Sequence, residues 1–475
     1  MAQLRSAEQL AVAGGSRGAL TPSVSERPTS LAAEIAWAIC DGARNPYNVL
    51  VNIFVFAAYF TTVVIPDPVR GQTVWSYVSA AAALSVALTA PVLGAIADAG
   101  GRRKPWLLGC LALGAPCMAM LWFATPGMGH GLAWIMLALI GGTLCFEYSG
   151  VFTSAMLPTI TSARRISFLS GLGFSLANFS GIILFTFYLL AWDRNPHPLF
   201  GLDVRAHEPE RAVGILAALW MVVFYLPMFF LTPDVASTSC GAREAVRRGI
   251  ASLIETLSRV RSYRNAATYL AARLIYNEGF MVMMLFTSVV AAGVLHWTPR
   301  MLIAMGLVNS VIATAAGLFA GWLDRRIGTK RAVIVFVAGC LAANVAVCSI
   351  TPQSVFFVTL SHASTPGTGL FPTLPDKVFL VTQNFIALFV TGGLVTSRTL
   401  MAKLSPPTML NEFFGLYALS GNATSFMGPL AIGIVTAAFA NQRAGVAVGI
   451  GFLAVGLILM LPVRDPRPPA PLTGP

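Results

Sequence analysis

Residues 94–104 read GAIADAGGRRK, a short polar sequence between two long apolar stretches. Gly94 has no side chain, so a neighbouring helix can approach it closely. Asp98 lies at a helix end, where its carboxylate can pair with a nearby arginine. Gly101 permits a tight turn, and three basic residues follow it: Arg102, Arg103 and Lys104. The sequence therefore predicts a charged connection between two membrane-spanning helices, held at the cytoplasmic face.

The composition of the whole chain agrees with a membrane protein. Of 475 residues, 56% are hydrophobic and 11% are charged, whereas a soluble domain averages about 25% charged residues. Such a chain has too little polar surface to cover a soluble multi-domain enzyme. Seven cysteines without CxxC spacing indicate neither a metal site nor a disulfide framework.

Twelve apolar stretches are long enough to cross a bilayer, which takes about 20 residues of helix. Residues 353–377 mix apolar residues with Pro and Gly and are expected to form an external loop with a short interfacial helix. We predict spans at 33–63, 74–97, 106–125, 132–157, 167–192, 212–232, 267–294, 300–323, 332–351, 378–402, 412–439 and 444–463.

Successive loops between the predicted spans lie on opposite sides of the membrane. Counted this way, 22 Lys and Arg residues are on one side and seven are on the other. Because basic residues accumulate in cytoplasmic loops, both termini are expected inside. The same asymmetry explains the net charge of +12 without nucleic acid. The predicted organisation has five parts: a cytoplasmic tail 1–32, a six-helix bundle 33–232, a cytoplasmic Arg-rich linker 233–266, a second six-helix bundle 267–463 and a cytoplasmic tail 464–475.

Three sets of residues recur in the same order in the two bundles, which indicates an internal repeat. They are Asp41-Gly42 with Glu278-Gly279, then Gly94, Gly101 and Arg103-Lys104 with Gly321, Gly328 and Lys330-Arg331, then Gly171-Leu172 and Asn178 with Gly415-Leu416 and Asn422.

The sequence GAIADAGGRRK resembles the GxLADRxGRK loop of the major facilitator superfamily. Its second copy, GWLDRRIGTKR from Gly321, departs from that pattern. Arg325 stands where the acid belongs, and Asp324 comes one residue early. The resemblance implies an all-α membrane protein with twelve transmembrane helices in two six-helix repeats. Whether the second loop forms a charge pair stays open.

Longer stretches are similar to one branch of that superfamily, which includes the fungal vacuolar amino-acid effluxers linked to autophagy. They are AWAICDGARNPYNVLVNIFVFAAYF at 36–60, RLIYNEGF at 273–280, and SRTLMAKLSPP with EFFGLYALSGNATSFMGP within 397–429. This resemblance implies secondary transport of a small solute and does not fix the substrate. In that branch an Asp commonly stands where this chain has Glu278.

The first span carries a polar stripe at helical spacing, formed by Glu34, Trp37, Asp41, Arg44, Asn45 and Asn48. Such a stripe faces the bundle interior or a water-filled cavity. Pro46 cannot donate a backbone hydrogen bond to Gly42, so a bend beside Asp41 is expected. The alternative for Asp41 and Arg44 is an ion pair that only neutralises itself. Glu34 is expected at the membrane interface without a functional role.

Further polar residues lie in the seventh and fourth spans. Arg273, Tyr276, Asn277 and Glu278 follow one another on the seventh, where Arg273 and Asn277 share a face and Glu278 does not. Each of these charges needs a partner, which we expect on the first span. Glu147 lies near the middle of the fourth span, and its alternative role is helix packing. A buried charge costs about 2.5–3.5 kcal/mol on insertion scales, which makes these residues candidate substrate or proton sites.

These observations predict a monomeric secondary transporter in a bacterial inner membrane, working by alternating access. Its partners would be a small solute, such as an amino acid, and a proton carried by Asp41, Glu147 or Glu278. Export follows from the resemblance, and uptake stays open. A drug-efflux pump and a non-transporting sensor or scaffold are the alternatives. No phosphate loop, HExxH or GxSxG motif occurs, so we expect no enzyme, cofactor or metal.

Overall fold

The computed structural model describes residues 30–162, 165–193, 195, 197–234, 244, 247, 263–360, 369–406 and 410–464. Within these ranges the chain is almost entirely helical. The predicted tails and the linker 233–266 lie mostly outside the described residues.

The first half of the chain begins with a long, irregular first span. Its helices are α1 (Leu31–Pro46), α2 (Phe56–Tyr59), α3 (Pro68–Gly100), α4 (Lys104–Ala119), α5 (Gly131–Ile160), α6 (Ile166–Tyr188) and α7 (Glu208–Leu231). Three π-helical segments extend α1, α2 and α6, namely Tyr47–Phe54, Phe60–Val64 and Leu189–Asp193. Short 3₁₀ turns occupy Met120–Phe123 and Leu199–Gly201.

The second half follows the same plan, with one broken span. Its helices are α8 (Arg264–Val294), α9 (Pro299–Ile327), α10 (Thr329–Ser349), α11 (Leu374–Leu404), α12 (Leu410–Asn422), α13 (Met427–Phe439) and α14 (Gln442–Met460). Two short antiparallel strands, β1 (Ser354–Val355) and β2 (Val358–Thr359), form a hairpin between α10 and α11.

Eleven helical stretches of the described chain are long and apolar enough to cross a membrane, and α13 is a shorter apolar helix. The predicted all-α membrane fold is therefore confirmed. The prediction of one continuous helix at 412–439 is wrong, because the chain turns between Asn422 and Met427. Pro429 lacks an N–H group and is tolerated where a helix begins, so it falls in the first turn of α13.

The loop after α10 also differs from the prediction. Its described part, 351–360 and 369–373, contains the β-hairpin and no interfacial helix. Phe356 and Phe357 have positive φ angles of 51° and 63° at the hairpin turn. Such angles suit the tight turns that join two antiparallel strands, so the chain reverses here instead of forming a helix.

The same helix pairs pack in each half. The first span contacts the fifth and sixth, as α1 does with α6 and α7, and α8 correspondingly contacts α12, α13 and α14. We call the side that holds Leu31 and Arg464 the terminus side; there Asn265 Nδ2 donates to the Arg464 carbonyl oxygen at 3.0 Å. The opposite side is the distal side.

The two halves are bonded to each other on the distal side, at a set of contacts that we call the distal seam. It consists of Pro68, Gln72, Asp193, Arg300, Thr436 and Gln442. Gln72 Nε2 donates to Thr436 Oγ1 (2.8 Å) and to the Gln442 carbonyl oxygen (3.0 Å), and Gln442 Nε2 donates to the Pro68 carbonyl oxygen (3.0 Å). Arg300 Nε lies 2.5 Å from Asp193 Oδ2. These contacts between the two halves lie in the distal half of the molecule.

Candidate functional site

Pro46 lies inside the first span, between Asn45 and Asn48 of its polar stripe. Pro46 leaves the carbonyl oxygen of Gly42 without its helical donor. Trp220 of α7 supplies the replacement, because its indole Nε1 donates to that oxygen at 3.0 Å. The π-helical segment Tyr47–Phe54 begins directly after the proline, and such segments are frequent at functional sites. The carbonyl oxygen that the proline leaves free is thus satisfied from outside the helix.

Asp41 and Arg44 form an ion pair just before Pro46. Arg44 Nε lies 3.5 Å from Asp41 Oδ1, and the two side chains are 23% and 32% exposed, with Arg44 the less exposed. Arg44 also reaches α5, where its Nη1 donates to the Phe146 carbonyl oxygen at 3.3 Å and its guanidinium lies 4.8 Å from the Phe146 ring centroid. Arg44 therefore links the Asp41 carboxylate to α5.

Glu147 is near the same guanidinium, with which it interacts electrostatically. Two acids thus interact with one arginine. Gly150 makes this arrangement possible, because a Cβ atom at that position would overlap the Arg44 guanidinium.

The other side of the stripe faces a row of small residues on α6. Asn45 Nδ2 donates to the Ala177 carbonyl oxygen at 2.7 Å. A Cβ atom on Gly173 would lie 2.9 Å from Asp41 Oδ2, and one on Gly181 would lie 3.4 Å from Asn45 Nδ2. Small residues let polar side chains approach a neighbouring backbone closely, so α6 fixes the stripe in place.

Arg273 and Asn277 lie on one face of α8, as predicted, and that face contacts α12. Arg273 Nη1 donates to the Tyr417 carbonyl oxygen (2.7 Å) and Ser420 Oγ (2.6 Å), and the guanidinium lies 3.6 Å from the Tyr417 ring centroid. Asn277 Nδ2 lies 3.5 Å from the Gly421 carbonyl oxygen. Arg273 is only 6% exposed, and its Nε atom has no hydrogen-bond partner among the described groups.

Glu278 contacts the same broken span at a different point. Its Oε1 accepts from Thr424 Oγ1 at 2.9 Å, and its Oε2 accepts from the Gly428 backbone N–H at 3.0 Å. The expectation that Arg273 and Glu278 find partners on the first span is wrong, because both turn towards the eleventh. Tyr276 lies apart from them: its hydroxyl is 2.7 Å from Ser397 Oγ of α11.

The 94–104 loop is bonded to the terminus-side ends of other helices. Gly101 has φ of +73°, which favours glycine. Arg103 donates to Asp234 Oδ1 through its backbone N–H (3.0 Å) and to the Ala155 carbonyl oxygen through Nη1 (2.6 Å). Arg102 is exposed. A Cβ atom on Gly94 would meet nothing within 4 Å, so the expected close helix approach does not occur there. The Asp98 side chain lies outside the described part.

The second copy of the loop forms an ion pair that the sequence left open. Gly328 has φ of +88°. Lys403 Nζ of α11 lies 3.2 Å from Asp324 Oδ2 and 2.5 Å from Thr329 Oγ1, so Asp324 binds a cation although it comes one residue early. Gly321, like Gly94, has open space where a Cβ atom would be.

Sequence reasoning missed an ion pair on the terminus side between a buried glutamate and an exposed arginine. Glu34 is 3% exposed, and its carboxylate lies 2.8 Å from Arg165 Nη2 and 2.7 Å from Thr161 Oγ1. Glu34 was expected at the membrane interface. A sequence feature that could have indicated its burial is its position seven residues before Asp41, which places it on the same polar stripe of α1. This pair joins α1 to the connection between α5 and α6.

Two relatives align with long stretches of this chain, and one of them is named a transporter. The uncharacterized MFS-type transporter YxiO of Bacillus subtilis (strain 168) is 24% identical over 438 residues, which cover 90% of this chain and 94% of that protein. Autophagy-related protein 22 of Cryptococcus neoformans is 24% identical over 309 residues, which cover 64% of this chain and 50% of the fungal protein.

Solved structures show the same fold at low identity. A D-xylose-proton symporter has a TM-score of 0.62 at 12% identity, covering 92% of this chain and 98% of its own. A bacterial homolog of the human lysosomal transporter Spinster, inward-facing and unoccupied, has a TM-score of 0.60 at 13% identity, covering 93% and 98%. The expected major facilitator fold is therefore confirmed. The family described as "Vacuole effluxer Atg22 like" matches residues 63–468, and the chain belongs to that family.

Proposed function

We propose that this protein is a proton-coupled secondary transporter that moves an amino acid or a similar small metabolite across a membrane by alternating access. One observation carries the proposal: the Asp41–Arg44 pair is partly exposed at mid-depth, while the distal seam bonds the two halves together. A cavity that reaches this pair would therefore open on the terminus side. A bound solute would reach the other side by opening the distal seam.

The chemistry of the site favours a zwitterionic solute. Arg44 offers N–H donors to a carboxylate, and Asp41 and Glu147 offer acceptors to an ammonium group, so both ends of an amino acid meet an opposite charge. An apolar drug would instead favour an apolar, aromatic cavity. The family description, which names a vacuole effluxer, supports transport and favours export.

The membrane orientation belongs to the same proposal. The predicted alternation of the loops would place 22 basic residues on the terminus side and seven on the distal side, so the terminus side would face the cytoplasm of a bacterial cell. The two halves would be six-helix repeats that rock about the site. One chain contains both halves, so a monomer would suffice.

Binding of solutes to the purified protein tests the substrate class. A ligand at 100 times its Kd stabilises the folded state by about 2.7 kcal/mol, so amino acids among a panel of solutes are expected to raise the unfolding temperature. Asp41→Asn is expected to abolish that shift. The control is Asp203→Asn, since Asp203 lies in an exposed distal loop.

Counterflow in proteoliposomes then separates the functions. A transporter exchanges the bound amino acid, and its uptake moves protons in a fixed ratio. Binding without exchange would overturn the proposal in favour of a sensor. Stabilisation by apolar cations, with none by amino acids, would favour a drug-efflux pump.

A further inference from the structure

The break in the eleventh span exposes the first turn of α13, whose backbone N–H groups need partners outside the helix. The Met427 N–H donates to the Thr424 carbonyl oxygen (2.7 Å) and the Leu430 N–H to that of Phe426 (3.0 Å). Pro429 has no N–H group. The one remaining donor of this turn is the Gly428 N–H, and its partner is Glu278 Oε2.

Glu278 is thus the N-terminal cap of a helix that it does not belong to. A carboxylate at this end is favoured by the helix dipole. Thr424, inside the break, binds the second carboxylate oxygen, so the same side chain fixes both the turn and the helix start. Gly428 permits the approach, because a Cβ atom there would lie only 3.1 Å from Oε2.

This carboxylate has no cation beside it. Glu278 is 0% exposed, and the described part of the chain places no basic side chain in ion-pair distance of it. Arg273, on the same helix, binds Tyr417 and Ser420. Helix α13 has no ionisable residue. Several ionisable side chains on neighbouring helices engage other groups: Asp41 with Arg44, Lys403 with Asp324, Asp376 with Trp297, Arg398 with Phe414, Arg300 with Asp193 and Arg443 with Cys348. Arg70 and Lys377 are exposed, and Tyr276 binds Ser397.

The opposite end of α13 takes part in the distal seam. Thr436 accepts the hydrogen bond from Gln72 of α3, and a Cβ atom on Gly433 would lie 2.8 Å from the Tyr77 ring and 3.2 Å from Ser76. One short helix therefore carries the carboxylate contact at its start and a contact between the two halves near its end.

We infer that Glu278 is the coupling-proton site and that it controls the distal seam through α13. As a carboxylate, Glu278 binds the Gly428 N–H and the Thr424 hydroxyl and holds α13 in the position that closes the seam. When a proton adds to one oxygen, the negative charge is lost and that oxygen becomes a donor, so the cap weakens and the seam opens. This inference rests on the proposed function for the identity of the proton as coupling ion.

The experiment measures whether the seam opens, separately from transport. A cysteine in place of Ser76, which is 0% exposed beside the seam, is labelled from the distal side with a membrane-impermeant thiol reagent. The parent with native cysteines serves as the background. Because the reactive thiolate becomes scarcer as the pH falls, labelling is expressed relative to an exposed distal cysteine, Asp203→Cys, at the same pH. On this scale we expect labelling to rise about tenfold when the pH falls, in the range of typical coupling between sites.

Glu278→Gln resembles the protonated state, so its labelling is expected to be high and independent of pH. Glu278→Asp keeps the charge but is too short to reach both partners, and its labelling is expected to rise as well. The matched control is Glu34→Gln, a buried glutamate that binds Arg165 and Thr161 of its own half on the terminus side, which is expected to keep the pH dependence.

Labelling in both Glu278 variants that matches the parent at every pH would overturn the inference, even if transport is coupled. A parent protein that moves no protons with solute would overturn the proposed function instead. In that case a seam that still responds to pH through Glu278 would leave the capping role standing on its own. If Glu278→Gln does not fold, labelling of the Glu278→Asp protein tests the inference in its place.

Discussion

At the scale of single residues, two arginines inside the membrane are held in the same way. Arg44 and Arg273 each donate to a carbonyl oxygen of another helix and lie over an aromatic ring, Phe146 or Tyr417. A carbonyl oxygen and a ring face compensate a buried guanidinium without consuming all of its five donors. Both side chains therefore keep N–H groups that can donate to a further anionic partner. This capacity gives a reason why two guanidinium groups are kept in the bilayer despite their cost in free energy.

The room for Arg44 depends on the absence of a side chain at Gly150. We expect Gly150→Ala to displace the guanidinium from α5 and to weaken solute binding by about tenfold to a hundredfold, the value of one charged hydrogen bond. Binding is measured by titration of the purified protein.

Gly171→Ala is the control for this substitution, because a Cβ atom there meets nothing within 4 Å. Equal affinity in the Gly150→Ala protein and the parent would show that Arg44 does not bind the solute.

At the scale of helices, the first span shows how a carbonyl oxygen freed by a proline is satisfied by a neighbour. Pro46 frees the Gly42 oxygen, and Trp220 binds it. Two substitutions should therefore be coupled. Trp220→Phe leaves a carbonyl without a donor and is expected to cost about 1–3 kcal/mol of unfolding free energy. In a Pro46→Ala background the residue 46 amide supplies a donor, so the same change is expected to cost less than half as much.

Unfolding in detergent, measured for the two single variants and the double variant, gives the coupling energy. Trp106→Phe is the control, since Trp106 packs against Phe152 and should cost the same in both backgrounds. An equal cost of Trp220→Phe with and without Pro46 would contradict this account of the Gly42 oxygen.

Helix positions could be predicted from the sequence to within a few residues, because long apolar runs require helices in a bilayer. The free carbonyl oxygen of Gly42 was predictable from the sequence, because Pro46 has no N–H group, and the bend expected there stays a prediction. The break at Asn422–Met427 was not predictable, since Gly428-Pro429 also suits a continuous bent helix. The start of α13 is bound by Glu278, 150 residues earlier in the chain. A contact over that distance leaves no signal in the sequence around the break that would distinguish a broken helix from a continuous one. The partner of Asp324 was missed for the same reason.

At the scale of the whole molecule, the distal seam combines buried amide contacts with one ion pair near the surface. Asp193 and Arg300 are 21% and 41% exposed, so solvent screens them and their contribution is about 0.2–1 kcal/mol. Asp193→Asn is accordingly expected to raise labelling of a cysteine at position 76 only about twofold to fivefold, at a fixed pH.

Exchange of the two charges, Asp193→Arg with Arg300→Asp, is expected to return labelling towards the parent value. High salt should act like Asp193→Asn, because exposed charges are screened. A double variant that labels as strongly as Asp193→Asn would mean that this pair does not hold the seam.

The polar stripe of α1 has a consequence for biosynthesis. Arg44 and Asn45 bind backbone oxygens that lie 102 and 132 residues later in the chain. At a translation rate of roughly 5–20 residues per second, the first helix leaves the ribosome on the order of ten seconds before those partners exist. During that interval its charges have neither α5 nor α6 beside them. Helix α1 therefore depends on the insertion machinery, or on water at its edge, until helix α6 has been made.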